Sequence, residues 1–105
     1  MKFTIDELAA KLPLPPSDKW KDGVWDLEPF EKKGVTLVFF APKGIDHQTF
    51  HDKDEFYIIA RGSGELVLND KRISCKAGDA LFVEAFAEHW FENFSDDFAT
   101  WAIFF

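Results

Sequence analysis

Short apolar runs broken by turn signals recur along most of this chain, and that rhythm restricts the fold more than any other feature. Gly23–Phe30 and Val35–Ala41 flank the turn Glu31-Lys32-Lys33-Gly34. Glu55–Arg61 is rich in aromatic and β-branched residues and stops at Gly62-Ser63-Gly64. Glu65–Leu68 and Arg72–Lys76 are predicted to form a hairpin across Asn69-Asp70-Lys71. Ala77-Gly78-Asp79 leads into Ala80–Val83, and Glu88–Phe94 and Phe98–Phe105 read as a last hairpin around Ser95-Asp96-Asp97. Strands punctuated by turns every eight to twelve residues or so indicate an all-β sandwich or barrel. Val35–Ala41 is apolar on both faces, as expected for a strand between two layers.

The first residues differ. Met1–Leu12 is predicted to be a short helix, with Thr4 and Glu7 in capping-box relation and Ile5, Leu8 and Leu12 on one face. Leu12-Pro13-Leu14-Pro15-Pro16 ends it, because proline cannot continue a helix. A helix this short needs packing to persist, on the barrel or on a partner chain. At 105 residues the chain is expected to be one domain, residues 1–16 forming the helix and its proline-rich connection and 23–105 the barrel. A net charge of −7 without a basic stripe argues against nucleic acid and against an anionic membrane surface. The N-terminus lacks an apolar leader, no window approaches a transmembrane span, and Cys75 is the single cysteine, so a cytoplasmic home is expected. Cys75 itself reads as a small buried strand residue.

Chemistry concentrates between His47 and Gly64. His47, His51 and Glu55 combine imidazole with carboxylate, a donor set for zinc, manganese, iron or nickel. Glu55, Tyr57 and Ile59 share one strand face because side chains alternate. Asp52 and Asp54 read as a solvated acidic loop, Glu84 as a surface carboxylate and Gln48 as a solvated loop residue.

Two segments together resemble the cupin superfamily. Its first motif runs glycine, five residues, His-x-His, three or four residues, Glu, six residues, Gly. Here His51, Glu55 and Gly62 keep that spacing. Its second motif runs Gly, five residues, Pro-x-Gly, two residues, His, three residues, Asn; Gly78, His89 and Asn93 match it in register. The resemblance spans about Val35 to the C-terminus and implies a double-stranded β-helix holding a divalent metal. It implies His51, Glu55 and His89 as ligands. Thr49 stands where the family has its first histidine, and a loop bringing His47 round would supply the fourth. Glu84 and Phe86 replace the proline and glycine of the second motif, so a looser turn and a narrower pocket mouth are expected there.

Within that barrel Tyr57, Phe91 and Trp101 are expected to line a substrate pocket, with Phe91 opposite Trp101 in the last hairpin. A pocket of large rings suits a small, partly apolar substrate or an aromatic acid. Phe56, Ile58 and Trp90 would face outward, and that apolar exterior predicts a homodimer. The family implied here includes dioxygenases, isomerases, decarboxylases, binding modules and sensors, so fold alone does not choose among them. A metalloenzyme on a small organic molecule is the first expectation, a non-catalytic binding or sensing module the second, and a protein whose ion only staples the barrel the third.

Overall fold

The computed structural model describes residues 1–105. Its elements, in chain order, are α1 Ile5–Ala9, β1 Asp26–Lys32, β2 Val35–Phe40, β3 Glu55–Arg61, β4 Ser63–Leu68, β5 Lys71–Lys76, β6 Ala80–Val83, β7 His89–Glu92 and β8 Ala99–Phe104. They form two antiparallel sheets, ordered β1-β2-β8-β3-β6 and β5-β4-β7. The sheets face each other as a jelly-roll, a double-stranded β-helix with a short N-terminal helix.

Turn chemistry sets the strand lengths. Lys33 and Gly34 both have positive φ, 52° and 82°, which is the two-residue hairpin geometry that suits twisted strands. β1 therefore runs on through Glu31 and Lys32, two residues expected in the turn. β1 starts at Asp26 and is shifted in register between Leu27 and Phe30, where Pro29 cannot donate to the ladder. Asn69 and Asp70 make the same two-residue turn, with φ of 47° and 68°. Gly62 has φ 73°, and a Cβ there would lie 2.2 Å from the Ser95 Oγ and 2.7 Å from an Asp97 carboxylate oxygen, so glycine suits the place where the β3–β4 turn meets Ser95–Asp97.

The expected last hairpin is corrected. β7 pairs with β4, whereas β8 pairs with β2 and β3. The segment between them crosses from one sheet to the other, helped by the left-handed Asn93 at φ 51° and by the Ser95 N–H donating to the Ser63 carbonyl. Phe91 thus sits opposite Leu66, and Trp101 between Phe39 and Ile58. The crossing lets two sheets enclose one core of Tyr57, Ile59, Leu66, Val83, Phe91 and Phe98, each at most 2% exposed.

The helix is shorter than expected. Thr4 Oγ1 accepts the Glu7 N–H at 3.2 Å, and the last turn tightens through Lys11 and Leu12 N–H groups bonded three residues back. Leu8 is buried against Phe39, Ala41 and Ala99 on the outer side of the larger sheet. The helix therefore packs on its own barrel, and Arg61 pairs with Asp6 to hold it there.

Candidate metal centre and pocket

β3 begins at Glu55, and its alternation turns Glu55, Tyr57 and Ile59 inward, at 1%, 1% and 2% exposure. β7 brings His89 inward from the facing sheet, fully buried. His51 comes from the long β2–β3 loop. That loop is tied down where Thr49 and His51 carbonyls accept the N–H groups of His89 and Phe86 at 2.8 and 2.7 Å.

The three side chains meet. His51 Nε2 lies 2.9 Å from Glu55 Oε1, His89 Nε2 lies 3.2 Å from the same oxygen, and the two Nε2 atoms are 3.2 Å apart. Each ring's other nitrogen faces a carbonyl: His89 Nδ1 lies 2.8 Å from Ala87 O and His51 Nδ1 lies 3.2 Å from Lys53 O. A carbonyl only accepts, so the Nδ1 atoms carry the protons and both Nε2 atoms present lone pairs. Glu55 Oε1 consequently lies at ion-pair distance from both rings yet receives no hydrogen bond of acceptable direction. Glu55 and His89 are buried and His51 is half-buried, and three acceptors converging on one point repel unless a proton or a cation lies among them.

Charge follows the same logic. Burial alone would raise the Glu55 pKa, but the two histidines outweigh it and lower it. Burial alone would depress His51, but the Glu55 carboxylate beside it outweighs that and raises it. The donor set, one carboxylate and two imidazoles with fixed tautomers, fits a borderline divalent ion, and the orphaned Glu55 oxygen is the sign of that fit.

His47 lies outside this group, which corrects its expected place as a fourth ligand. It is exposed, with its ring edge-on to Trp20 at a centroid distance of 5.2 Å. In the extended loop, neighbouring side chains point opposite ways, and Asp46 and Gln48 take the inward positions. Asp46 is 6% exposed and accepts from the N–H of Phe91 at 2.8 Å, the N–H of Gln48 at 3.0 Å and the Gln48 amide Nε2 at 2.6 Å. Burial raises the Asp46 pKa despite these bonds.

Beside the three ligand candidates is a cavity of about 200 Å³. Tyr57 lines it, donating its hydroxyl to Gln48 Oε1 at 3.2 Å; burial first, then the charges of Glu55 and Asp46, hold its pKa well above the usual value. Phe91 is core beneath the site: its ring packs on Tyr57 at 4.8 Å and on Phe98 at 4.9 Å, and it does not line the cavity. Trp101 points to the helix side, against Phe39 at 5.2 Å, because β8 residues alternate and Ala102 and Phe104 take the cavity side. The rest of the wall includes Gln48, expected from the sequence to be a solvated loop residue, together with Asp26, Glu28 and Lys19, which carried no site signal in the sequence. Asp26 and Glu28 alternate along a strand, the one cue that they could share a face. Phe86 makes its turn with a left-handed φ of 69°, is 66% exposed beside Phe50, and is not part of the cavity wall.

No curated protein matches the sequence. Among solved structures, KdgF from Halomonas sp. is 16% identical, with 75% of this chain and 74% of that one covered and a TM-score of 0.66. A Cupin 2 conserved barrel domain protein from Salinispora arenicola is 20% identical over 76% and 73%, with a TM-score of 0.65. A predicted oxalate decarboxylase from Thermotoga maritima is 26% identical over 67% and 63%, with a TM-score of 0.53. The first two show the fold. The family model described as the cupin domain matches residues 36–105, which contain both sheets' central strands and all three converging side chains. The chain belongs to the cupin family.

Proposed function

We propose that this protein binds one divalent ion through His51, Glu55 and His89 and acts as a metalloenzyme on a small molecule held in the adjoining cavity. The observation that carries the reading is the convergence of two buried acceptors and the half-buried His51 within 3.2 Å, with Glu55 Oε1 left without a hydrogen bond. Such an ion would supply Lewis-acid polarisation of a substrate oxygen or a site for oxygen chemistry, as in dioxygenase- or isomerase-like reactions. The chain's own groups do the rest. Ala87 and Lys53 carbonyls orient the two imidazoles. Tyr57 keeps its proton and offers a hydroxyl to the bound molecule. Val38, Phe40 and Phe104 exclude water from one side of the cavity. The oxalate named for the Thermotoga protein puts a decarboxylase among the reactions to test.

A binding or sensing module is the second reading. It is favoured by the half-polar wall, which can hold a ligand by hydrogen bonds without any step of bond breaking. The test loads the protein with iron(II), manganese(II) or nickel(II) and screens catechols, oxo-acids and small sugars for turnover and oxygen uptake. Turnover that disappears in His89→Ala supports the enzyme. Ligands that bind yet return unchanged in every metal form support the module.

A homodimer belongs to the same proposal. Phe56, Phe82 and Phe105 are 40%, 46% and 49% exposed and form one ring cluster on the outer side of β3 and β6. Light scattering at micromolar concentration tests it, and a monomer would reject it. A single domain over residues 1–105 and a cytoplasmic location remain expectations; no helix is long and apolar enough to cross a membrane.

A further inference from the structure

We propose that the cavity beside His51, Glu55 and His89 takes a small, uncharged, hydroxyl-rich molecule, held by the Gln48 amide and the Asp26 carboxylate. The inference rests on the metal reading above and narrows its substrate class. At about 200 Å³ the cavity is below the roughly 300–1,000 Å³ of sites for drug-sized ligands, so the molecule is small.

Gln48 is built for recognition. The Asp46 carboxylate, itself 6% exposed, takes the amide N–H at 2.6 Å and also the backbone N–H of Gln48 and of Phe91. A carboxylate accepting those bonds settles which end of the amide is nitrogen. Oε1 therefore faces Tyr57, whose hydroxyl donates to it at 3.2 Å. One amide N–H and one oxygen lone pair are left over, a donor and an acceptor side by side on the cavity wall. A hydroxyl group, which both donates and accepts, matches that pair.

Charge points the same way. Asp26, Glu28 and Glu55 line the cavity, and Lys19 is the one ammonium there. Asp26 is half-buried; burial raises its pKa, with Glu28 and Asp46 adding to the effect and Lys19 opposing it. A divalent ion and the Lys19 ammonium together balance the three carboxylates. An anion then meets Asp26 and Glu28, a cation meets the ion, and a neutral polyol meets neither penalty. Glu55 Oε1, buried and without a hydrogen bond in the same cavity, is the sign of the ion on which this charge balance depends.

The experiment uses the full chain and has two steps. Cobalt(II) is first titrated into the protein and into Gln48→Leu, Asp26→Asn and the Asp26→Asn/Glu28→Gln pair; Gln48→Leu should bind it within about threefold of the unaltered protein, the charge-neutralised variants more weakly, and each is saturated with cobalt before the next step. D-xylose and oxalate are then titrated into each cobalt form by calorimetry. Gln48→Leu and Asp26→Asn should each weaken xylose at least about tenfold, the usual effect of losing a hydrogen bond to an amide or carboxylate in a closed site. In Asp26→Asn/Glu28→Gln the affinity for oxalate should rise while that for xylose falls. Changes of the same sign for both probes, unchanged xylose affinity in Gln48→Leu and Asp26→Asn, or no xylose binding by the unaltered protein would overturn the proposal. Failure to bind cobalt removes the metal reading alone; the variants are then scored by xylose binding to the metal-free protein, with the same two outcomes.

Discussion

The two sides of β2 and β8 make opposite uses of the same strands. On the outer side Phe39, Ala99 and Trp101 pack with Leu8 of the helix in one apolar cluster. On the inner side Val38, Phe40, Ala102 and Phe104 form one wall of a cavity whose other walls carry Asp26, Gln48, His51 and Glu55. One residue step along a strand separates the two environments. Parity therefore decides whether a large ring is packing or pocket: Trp101 falls on the sealed side and its neighbours Ala102 and Phe104 on the other. The sealed side gains stability from burial alone. The cavity side leaves a buried carboxylate oxygen without a hydrogen bond, a cost that a proton or a bound cation offsets.

The largest effect that sharpens this comparison is at Phe91, fully in the core beneath the site. Phe91→Ala should cost about 3–5 kcal/mol by denaturant unfolding, and a cost below about 1 kcal/mol would mean the two sheets are not closed on each other there. Leu8→Ala on the sealed side should cost less, about 2–3 kcal/mol, because α1 lies on the outer surface and its neighbours can settle into the space. If Leu8→Ala were neutral, the helix would not be the cover described here. Glu55→Gln should have the opposite sign on the metal-free protein, raising stability by about 1 kcal/mol, since an amide N–H can meet a histidine lone pair that a carboxylate cannot. A fall in melting temperature for Glu55→Gln would show that the trio is already satisfied as a proton-shared pair. Smallest is the effect expected of a thiol reagent on the folded protein. Cys75 is 5% exposed with its pKa raised by burial, so alkylation should proceed only as fast as unfolding; rapid labelling would place an opening at β5.

Much of the strand pattern was legible in the sequence. β3 at Glu55–Arg61 and β6 at Ala80–Val83 fall where the apolar runs and turn residues placed them. The grouping of His51, Glu55 and His89 followed from motif spacing, and the structure brings the three together. Strand pairing was less legible. Alternation tells which side of a strand is apolar but not which strand lies beside it, so β7 and β8 looked like a hairpin although the chain crosses between sheets. The loop was least legible. Asp46 is buried where it accepts the N–H of Phe91, 45 residues away, Gln48 is turned inward by its bonds to Asp46, and nothing local distinguishes either from the exposed His47 between them. Asp26 was hidden for the same reason: a carboxylate on a strand reads as solvent-facing until Lys19, Trp20 and the loop carrying Gln48 and His51 close a cavity with it.

The central claim is that His51, Glu55 and His89 hold one divalent ion. Metal content by mass spectrometry, on protein stripped with a chelator and reloaded with zinc, iron(II), manganese(II) or nickel(II), tests it most directly when run beside thermal melts. The account predicts close to one ion per chain for at least one metal, a gain of about 2.7 kcal/mol at a hundredfold excess over the dissociation constant, loss of both in His51→Ala and in His89→Ala, and retention of both in His47→Ala. Metal content near zero after reloading, or full retention in both His51→Ala and His89→Ala, would contradict it.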